Sequence, residues 1–209
     1  GDPPVPATLG GGSSATSADN VQIFDPVANS YQTFWYKNSG AGGTGWRSTG
    51  VPNAEVGTTA IHPSDGLVIL RKQAGDGKLV ISGAVKTGNT RVRIEGNPSA
   101  TVLNLVGTQF PVDQLTFGNS GLYTGNASTG LKGGSSATSA DNVLIFDAVA
   151  NTYTTFWYKD SGAGGTGWRA TGIPDAAAYA IPSGGAILIQ RKNGSPFSWN
   201  VPAINIAAQ

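Results

Sequence analysis

Cysteine and methionine are both absent, histidine occurs once, and charged residues make up only 12% of the chain. Without cysteine there can be no disulfide, no zinc–thiolate site and no cysteine nucleophile. A hydrolytic triad or a histidine-bearing metal site would rest on His62 alone, and nothing around it resembles an activating Ser or Asp pattern. Thirteen basic against twelve acidic side chains leave a formal charge of +1. That balance lacks the basic stripe that phosphate contacts need, which excludes a nucleic-acid binder. It also leaves little repulsion between copies, so self-association is expected. No apolar run approaches the ~20 residues of a membrane-spanning helix, so membrane insertion is not expected. With Gly1 at the start and no methionine, the sequence reads as a processed chain whose export signal has been removed. That places it outside the cell or on the cell surface.

What the chain does contain is a duplication. Residues 11–52 and 133–174 differ at only 7 of 42 positions, at a constant offset of 122. A two-residue deletion then shifts the offset to 120, so that residues 67–72 align with 187–192. Repeats of this kind set the architecture before any local pattern does.

Each copy reads as strands. Residues 21–25 and 31–37 are short apolar or aromatic runs around Pro26-Val27-Ala28-Asn29, the pattern of a hairpin. Residues 67–72 and 79–85 flank Gly75-Asp76-Gly77, which supplies the positive φ of a tight hairpin turn, and Asn193-Gly194 occupies the equivalent place. Val92 and Ile94 alternate with charged residues, the period of a half-exposed strand. Only residues 175–179, after Pro174, could form one helical turn. The expectation is an all-β protein of two tandem β-sandwich-like repeat modules. The first spans 1–97 with a repeat core of 11–96, and the second spans 98–209 with a core of 133–206. The flanks of the copies differ. Residues 101–107 (TVLNLVG) precede the second copy, and the ten residues before Gly11 hold nothing like them. Each module therefore lacks, at one end of the sequence, a piece that its sibling has in the middle.

Little in the sequence suggests chemistry. Gly40, Gly42 and Gly45 fit a dinucleotide glycine pattern that recurs at Gly162, Gly164 and Gly167. That pattern binds a pyrophosphate only between a strand and a helix. Here Trp46-Arg47-Ser48-Thr49-Gly50 follows, so a hairpin loop is expected. Asp19 with Asp141 and Asp25 with Asp147 are the duplicated carboxylates. They stand at strand ends, where Asx side chains bond nearby backbone N–H groups. Oxygen ligands are too sparse for a dense calcium loop. No catalytic, metal or cofactor residues are assigned, and no cofactor is expected.

The aromatic runs at 31–36 and 153–158 carry aromatics at alternating positions, hence on both faces of a strand. Three arrangements account for this: a central strand covered on both faces, a face packed on another module or subunit, or an aromatic platform for sugars. The motif order DN-x-IFD, Y-x-TFWYK, GWR-x-TG and LVILRK, with NLVGTQFPVDQLTFGNSGL between the copies, resembles a family of exported β-rich repeat proteins of environmental bacteria. The resemblance covers most of the chain and implies β-structure and a leader peptide. It implies no catalytic residues, since none are established for that family.

The expected function is therefore structural: an extracellular filament or sheath subunit that forms a homo-polymer head to tail by exchange of terminal strands, and is not an enzyme. The residues expected to carry assembly are Val5, Ala7, Leu9, Trp35, Tyr36, Trp157, Tyr158, Ile204 and Ile206. Proline at positions 3, 4 and 6 suits an edge-docking arm better than a central strand. The alternative is a secreted carbohydrate-binding or adhesive module, with a polysaccharide as partner of the exposed aromatics.

Overall fold

The duplicated hairpin motif forms as its sequence predicts. The computed structural model describes residues 9–72, 88–108 and 114–203, and all eleven regular elements among them are strands. β1 (Asn20–Asp25) and β2 (Ser30–Lys37) pair antiparallel around the turn at 26–29, where Asn29 takes a φ of 50°. Asn151 does the same in the second copy, with a φ of 52°. Asparagine tolerates this left-handed region because its short amide can bond the local backbone. β3 (Gly45–Ser48) adds to β2, and β4 (Leu67–Leu70) adds to the other side of β1, giving the order β3-β2-β1-β4.

The chain divides into two units. The first holds Gly1–Asp25 and Ser30–Ala84, and the second holds Pro26–Asn29 and Val85–Gln209. The division falls earlier than the 97/98 boundary expected from the repeat. Its cause is β5 (Thr90–Ile94), which pairs with β11 (Phe197–Val201) in the second unit rather than with the module it follows.

In the second unit β7 (Asn142–Asp147), β8 (Thr152–Lys159), β9 (Gly167–Ala170) and β10 (Ala186–Lys192) repeat the pairing of β1 to β4, and β6 (Thr101–Gly107) extends the sheet beyond β10. Val143 faces Phe156 across β7 and β8, as Val21 faces Phe34 across β1 and β2. The two-stranded β5–β11 sheet and residues 115–131 supply the other side of the core. Val92, Ile94, Phe117, Leu122, Phe197 and Trp199 bury themselves with the inward row of the five-stranded sheet, Val106, Val143, Phe156, Ile187 and Ile189. Phe117 stacks on Phe156 with ring centroids 4.4 Å apart, and the Trp199 indole N–H donates to the Ser120 carbonyl at 2.8 Å. Buried Asn104 ties β6 to β5, accepting from Glu95 N–H at 2.7 Å and donating to Glu95 C=O at 3.0 Å.

Three local expectations need correction or placement. Asn193 has the expected positive φ, 49°, but Asn193-Gly194 is not a hairpin turn. β10 and β11 lie in different sheets, because Phe197, Trp199 and Val201 must cross over to cover the inner face. Residues 175–179 make no helical turn. Instead the Asp175 carboxylate accepts from Ala177 N–H, and Tyr179 N–H bonds Ala176 C=O. The strand expected at 79–85 and the turn Gly75-Asp76-Gly77 lie outside the described residues.

Candidate assembly surface

Because β1–β4 and β7–β10 share sequence and register, each residue of the first unit has a control in the second. The inward row of the second unit is Val143, Phe156, Trp168, Ile187 and Ile189, all buried. Its counterparts are Val21, Phe34, Trp46, Leu67 and Ile69. Val21 and Phe34 are buried, but Trp46, Leu67 and Ile69 are only half-buried. The contrast is largest in the segment before the fourth strand. Ile181 is fully buried, with its N–H bonded to Leu115 C=O at 2.7 Å, whereas the equivalent Ile61 is 56% exposed.

The difference has identifiable causes. Phe117 covers Phe156 and Trp168, and Tyr123 stacks on Tyr158 at 3.5 Å with the rings 10° from parallel. Both come from residues 114–131, which have no repeat in the sequence before Gly11. β6 pairs with β10 along its whole length, from Ala186 facing Gly107 to Lys192 facing Thr101. β4, the counterpart of β10, is bounded by β1 on one side and is the edge of its sheet among the described residues. An edge strand presents unpaired N–H and C=O groups and is a template for another strand. Here the edge is Leu67-Val68-Ile69-Leu70, uncharged and apolar.

The buried carboxylates turn out to be structural brackets. Asp141 accepts from Lys132 N–H and Lys192 N–H, each at 2.7 Å, and pairs with Arg191 at 2.5 Å. Asp19 likewise accepts from Gly10 N–H and Lys72 N–H, each at 2.7 Å, and pairs with Arg71 at 3.1 Å. The expectation that these carboxylates bond nearby backbone is therefore too local, since each ties the entry of its module to the end of the fourth strand. Asp147 does form the expected turn, accepting from Val149 and Ala150 N–H.

The glycine loop joins β2 to β3, as a hairpin loop should. Its carbonyls are engaged by the chain's own cations: Lys37 donates to Ala41 C=O, and Arg47 donates to Gly42 C=O at 3.1 Å. Arg47 also pairs with Glu55 at 2.5 Å. His62 sits in an exposed turn closed by Asp65, whose carboxylate accepts from His62 N–H. Among the described residues no three His, Asp or Glu side chains form a group that could hold a metal.

The residues expected to carry assembly fall into three sets. Val5, Ala7, Ile204 and Ile206 lie outside the described residues. Leu9 is half-buried beside the start of the repeat. The aromatics divide between the two faces of their strands. Tyr36 and Tyr158 are on the inner face, edge-on to Trp46 and Trp168 at 5.8 and 5.6 Å. Trp35 and Trp157 are on the opposite face, with Trp35 only 4% exposed and Trp157 half-buried. Trp35 is thus too deeply covered to serve as a sugar platform as the fold stands. Sequence reasoning missed Leu67, Ile69 and Ile61. The signal that could have found them was the unrepeated TVLNLVG segment, once its pairing partner β10 was mapped back to β4.

No family model matches this sequence, and neither a curated protein nor a solved structure matches it.

Proposed function

We propose that the chain is a structural subunit of an extracellular filament or sheath, joined head to tail as one copy completes the sheet of the next. One observation carries this reading. A module that is capped in the second unit, by β6 and by residues 114–131, stands in the first unit with its inner face half-exposed and its β4 edge unpaired among the described residues. A surface complete in one copy of a repeat and incomplete in the other is heterologous, and heterologous contacts propagate as open polymers unless the rotation closes a ring. The low charge, at +1 net, offers little resistance to close packing of copies.

Negative-stain electron microscopy of the purified chain, alongside sedimentation over a concentration series, tests the proposal. Fibres or sheets whose amount rises with concentration are the expected result. A chain that remains monomeric across the whole range overturns the reading.

A further inference from the structure

The duplication yields two versions of one carboxylate-binding corner. In the first unit Glu55 lies against the start of β3. Its Oε1 accepts from Trp46 N–H at 3.1 Å and from Gly57 N–H at 2.7 Å, and its Oε2 meets Arg47 Nη1 at 2.5 Å. Gly45 leaves room for the acid, since a Cβ built there would lie 1.8 Å from Glu55 Oε2. Two backbone donors and a guanidinium thus hold a carboxylate, and the chain supplies it from its own side chain.

The second unit keeps the donors and draws back the acid. Val56 N–H bonds Trp46 C=O and Ala176 N–H bonds Trp168 C=O, each at 3.0 Å, so Asp175 is the counterpart of Glu55 and Ala177 that of Gly57. Asp175 is one methylene shorter. It retains the bond to the 177 N–H, at 3.1 Å, but makes no ion pair with Arg169. Arg169 nevertheless holds the pose of Arg47, with Nη1 on the preceding carbonyl at 3.0 Å and Nη2 on Gly164 C=O at 3.1 Å. Trp168 faces Tyr158 without exchanging hydrogen bonds, because Tyr158 C=O accepts from Gly134 N–H instead. The Trp168 N–H therefore points away from β8, and it has no acceptor among the described residues. Here a Cβ built on Gly167 would meet only the Arg169 guanidinium among the described residues, with Nη1 at 3.0 Å. The corner borders a cleft of about 510 Å³ lined by Gly167, Trp168, Ala177, Phe117, Tyr123 and Tyr158. That volume falls within the roughly 300–1,000 Å³ of small-ligand pockets.

We infer that this corner of the second unit is a binding site for a ring-bearing carboxylate. The acid takes the Trp168 N–H and Arg169 Nη1, as Glu55 takes their counterparts, and the ring lies along the aromatic wall of the cleft. Charge-assisted bonds of this kind are the stronger ones and fix orientation. Two differences from the first unit set the fit. A Cβ on Gly57 would lie 2.6 Å from Glu55 Oε1, and Ala177 carries that Cβ, so the ligand oxygen stands further toward Arg169 than Glu55 does. The Asp175 charge opposes a second carboxylate beside it, so the guanidinium alone does not carry the binding and the ring must use the cleft. The site is independent of the polymer reading and stands or falls without it.

Ligand-observed saturation-transfer NMR on the full-length chain tests the site, and it reads binding whether or not the chain polymerises. Glucuronate, benzoate, glucose and acetate are titrated separately. Saturation of glucuronate or benzoate in the millimolar range is expected, and the one that binds more tightly identifies the ring as sugar or arene. Glucose lacks the acid and acetate lacks the ring, so both should bind more weakly than the ring acids. Asp175→Glu combined with Ala177→Gly rebuilds the corner of the first unit, and it should abolish binding with the melting temperature retained. Arg169→Gln should weaken binding by about tenfold or more, the weight of one charged hydrogen bond. Asp175→Asn, which keeps an acceptor for the Ala177 N–H and removes the like charge, should tighten it. Glucose or acetate binding as tightly as the ring acids overturns the inference, as does full binding by the rebuilt corner. Failure of both ring acids to saturate overturns it as well.

Discussion

Arg191 and Asp141 form an ion pair at 2.5 Å with side chains 1% and 0% exposed, while the duplicated pair Arg71 and Asp19 meets at 3.1 Å with the arginine 27% exposed. Sequence is nearly constant between the two brackets, so the difference reports their surroundings. In the second unit Arg191 also donates to Gly130, Ala127 and Ser195 carbonyls and lies over the Phe197 ring at 5.1 Å. Gly130 and Ala127 belong to the stretch that precedes the second copy, and residues 1–10 do not match it.

Removing one partner of a fully buried pair leaves an uncompensated charge, which costs about 3–5 kcal/mol. Asp141→Ala is therefore expected to destabilise the second unit by an amount in that range. Asp19→Ala should cost distinctly less, because water can reach Arg71. Both variants lose two backbone hydrogen bonds to the carboxylate, so this shared cost cancels in the comparison. Denaturant unfolding followed by fluorescence checks it. Equal losses would mean that the two brackets are equally enclosed.

The strand pattern of this fold was legible because alternation, turn residues and the duplicated 11–52 block are local signals. Asn29 and Asn151 mark the hairpins, and the registers of β1–β2 and β7–β8 follow from them. What was not legible is which strands leave their own module. Val92 and Ile94 look like a late strand of the first copy, yet they pair with β11 across more than a hundred residues of sequence. Nothing in the alternation of a strand says which edge it will join. The same limit hid Leu67 and Ile69. Their apolar run announces burial on both faces, but only the pairing of β6 with β10 in the second unit shows which position beside β4 is unfilled among the described residues. The aromatic run was read correctly as two-faced, and the structure separates its members into inner tyrosines and opposite-face tryptophans.

Trp35 tests the buried reading of those tryptophans. Truncating a fully buried aromatic costs roughly 3–5 kcal/mol, so Trp35→Ala should lower the melting temperature markedly. Trp157→Ala should lower it less, since that ring is half-buried. Neither indole N–H has a hydrogen-bond partner among the described residues. Trp35→Phe and Trp157→Phe should thus retain most of the stability that alanine removes, because no bond is lost with the indole. Retention on insoluble polysaccharide is measured on the same proteins. Alanine variants with unchanged melting temperature and lost retention would favour the carbohydrate-binding alternative.

Tyr123 supplies a prediction at alkaline pH. Its ring stacks on Tyr158, and its pKa is raised above 10.0, first by burial, then by the Asp160 carboxylate, then by Tyr158 itself. The unfolded chain releases this proton near the ordinary tyrosine value, and the folded chain holds it to higher pH. Between those two values the folded state binds more protons than the unfolded state, so stability falls as pH rises through that interval. Below pH 10 both states are protonated and the effect vanishes. Lys192 acts in the opposite sense, because burial lowers its pKa from 10.5 and stability rises with pH over its own window. The two are separated by comparing variants rather than reading the wild-type curve. Tyr123→Phe keeps the stacked ring and removes the titrating hydroxyl. It should leave stability near neutrality little changed and flatten the loss above pH 10, while the contribution of Lys192 is common to both proteins. Asp160→Asn should shrink the same loss by removing one of its causes. Unfolding midpoints measured from pH 8 to pH 11 decide the matter, and a Tyr123→Phe curve parallel to wild type above pH 10 would show that the hydroxyl titrates alike in the folded and unfolded chains.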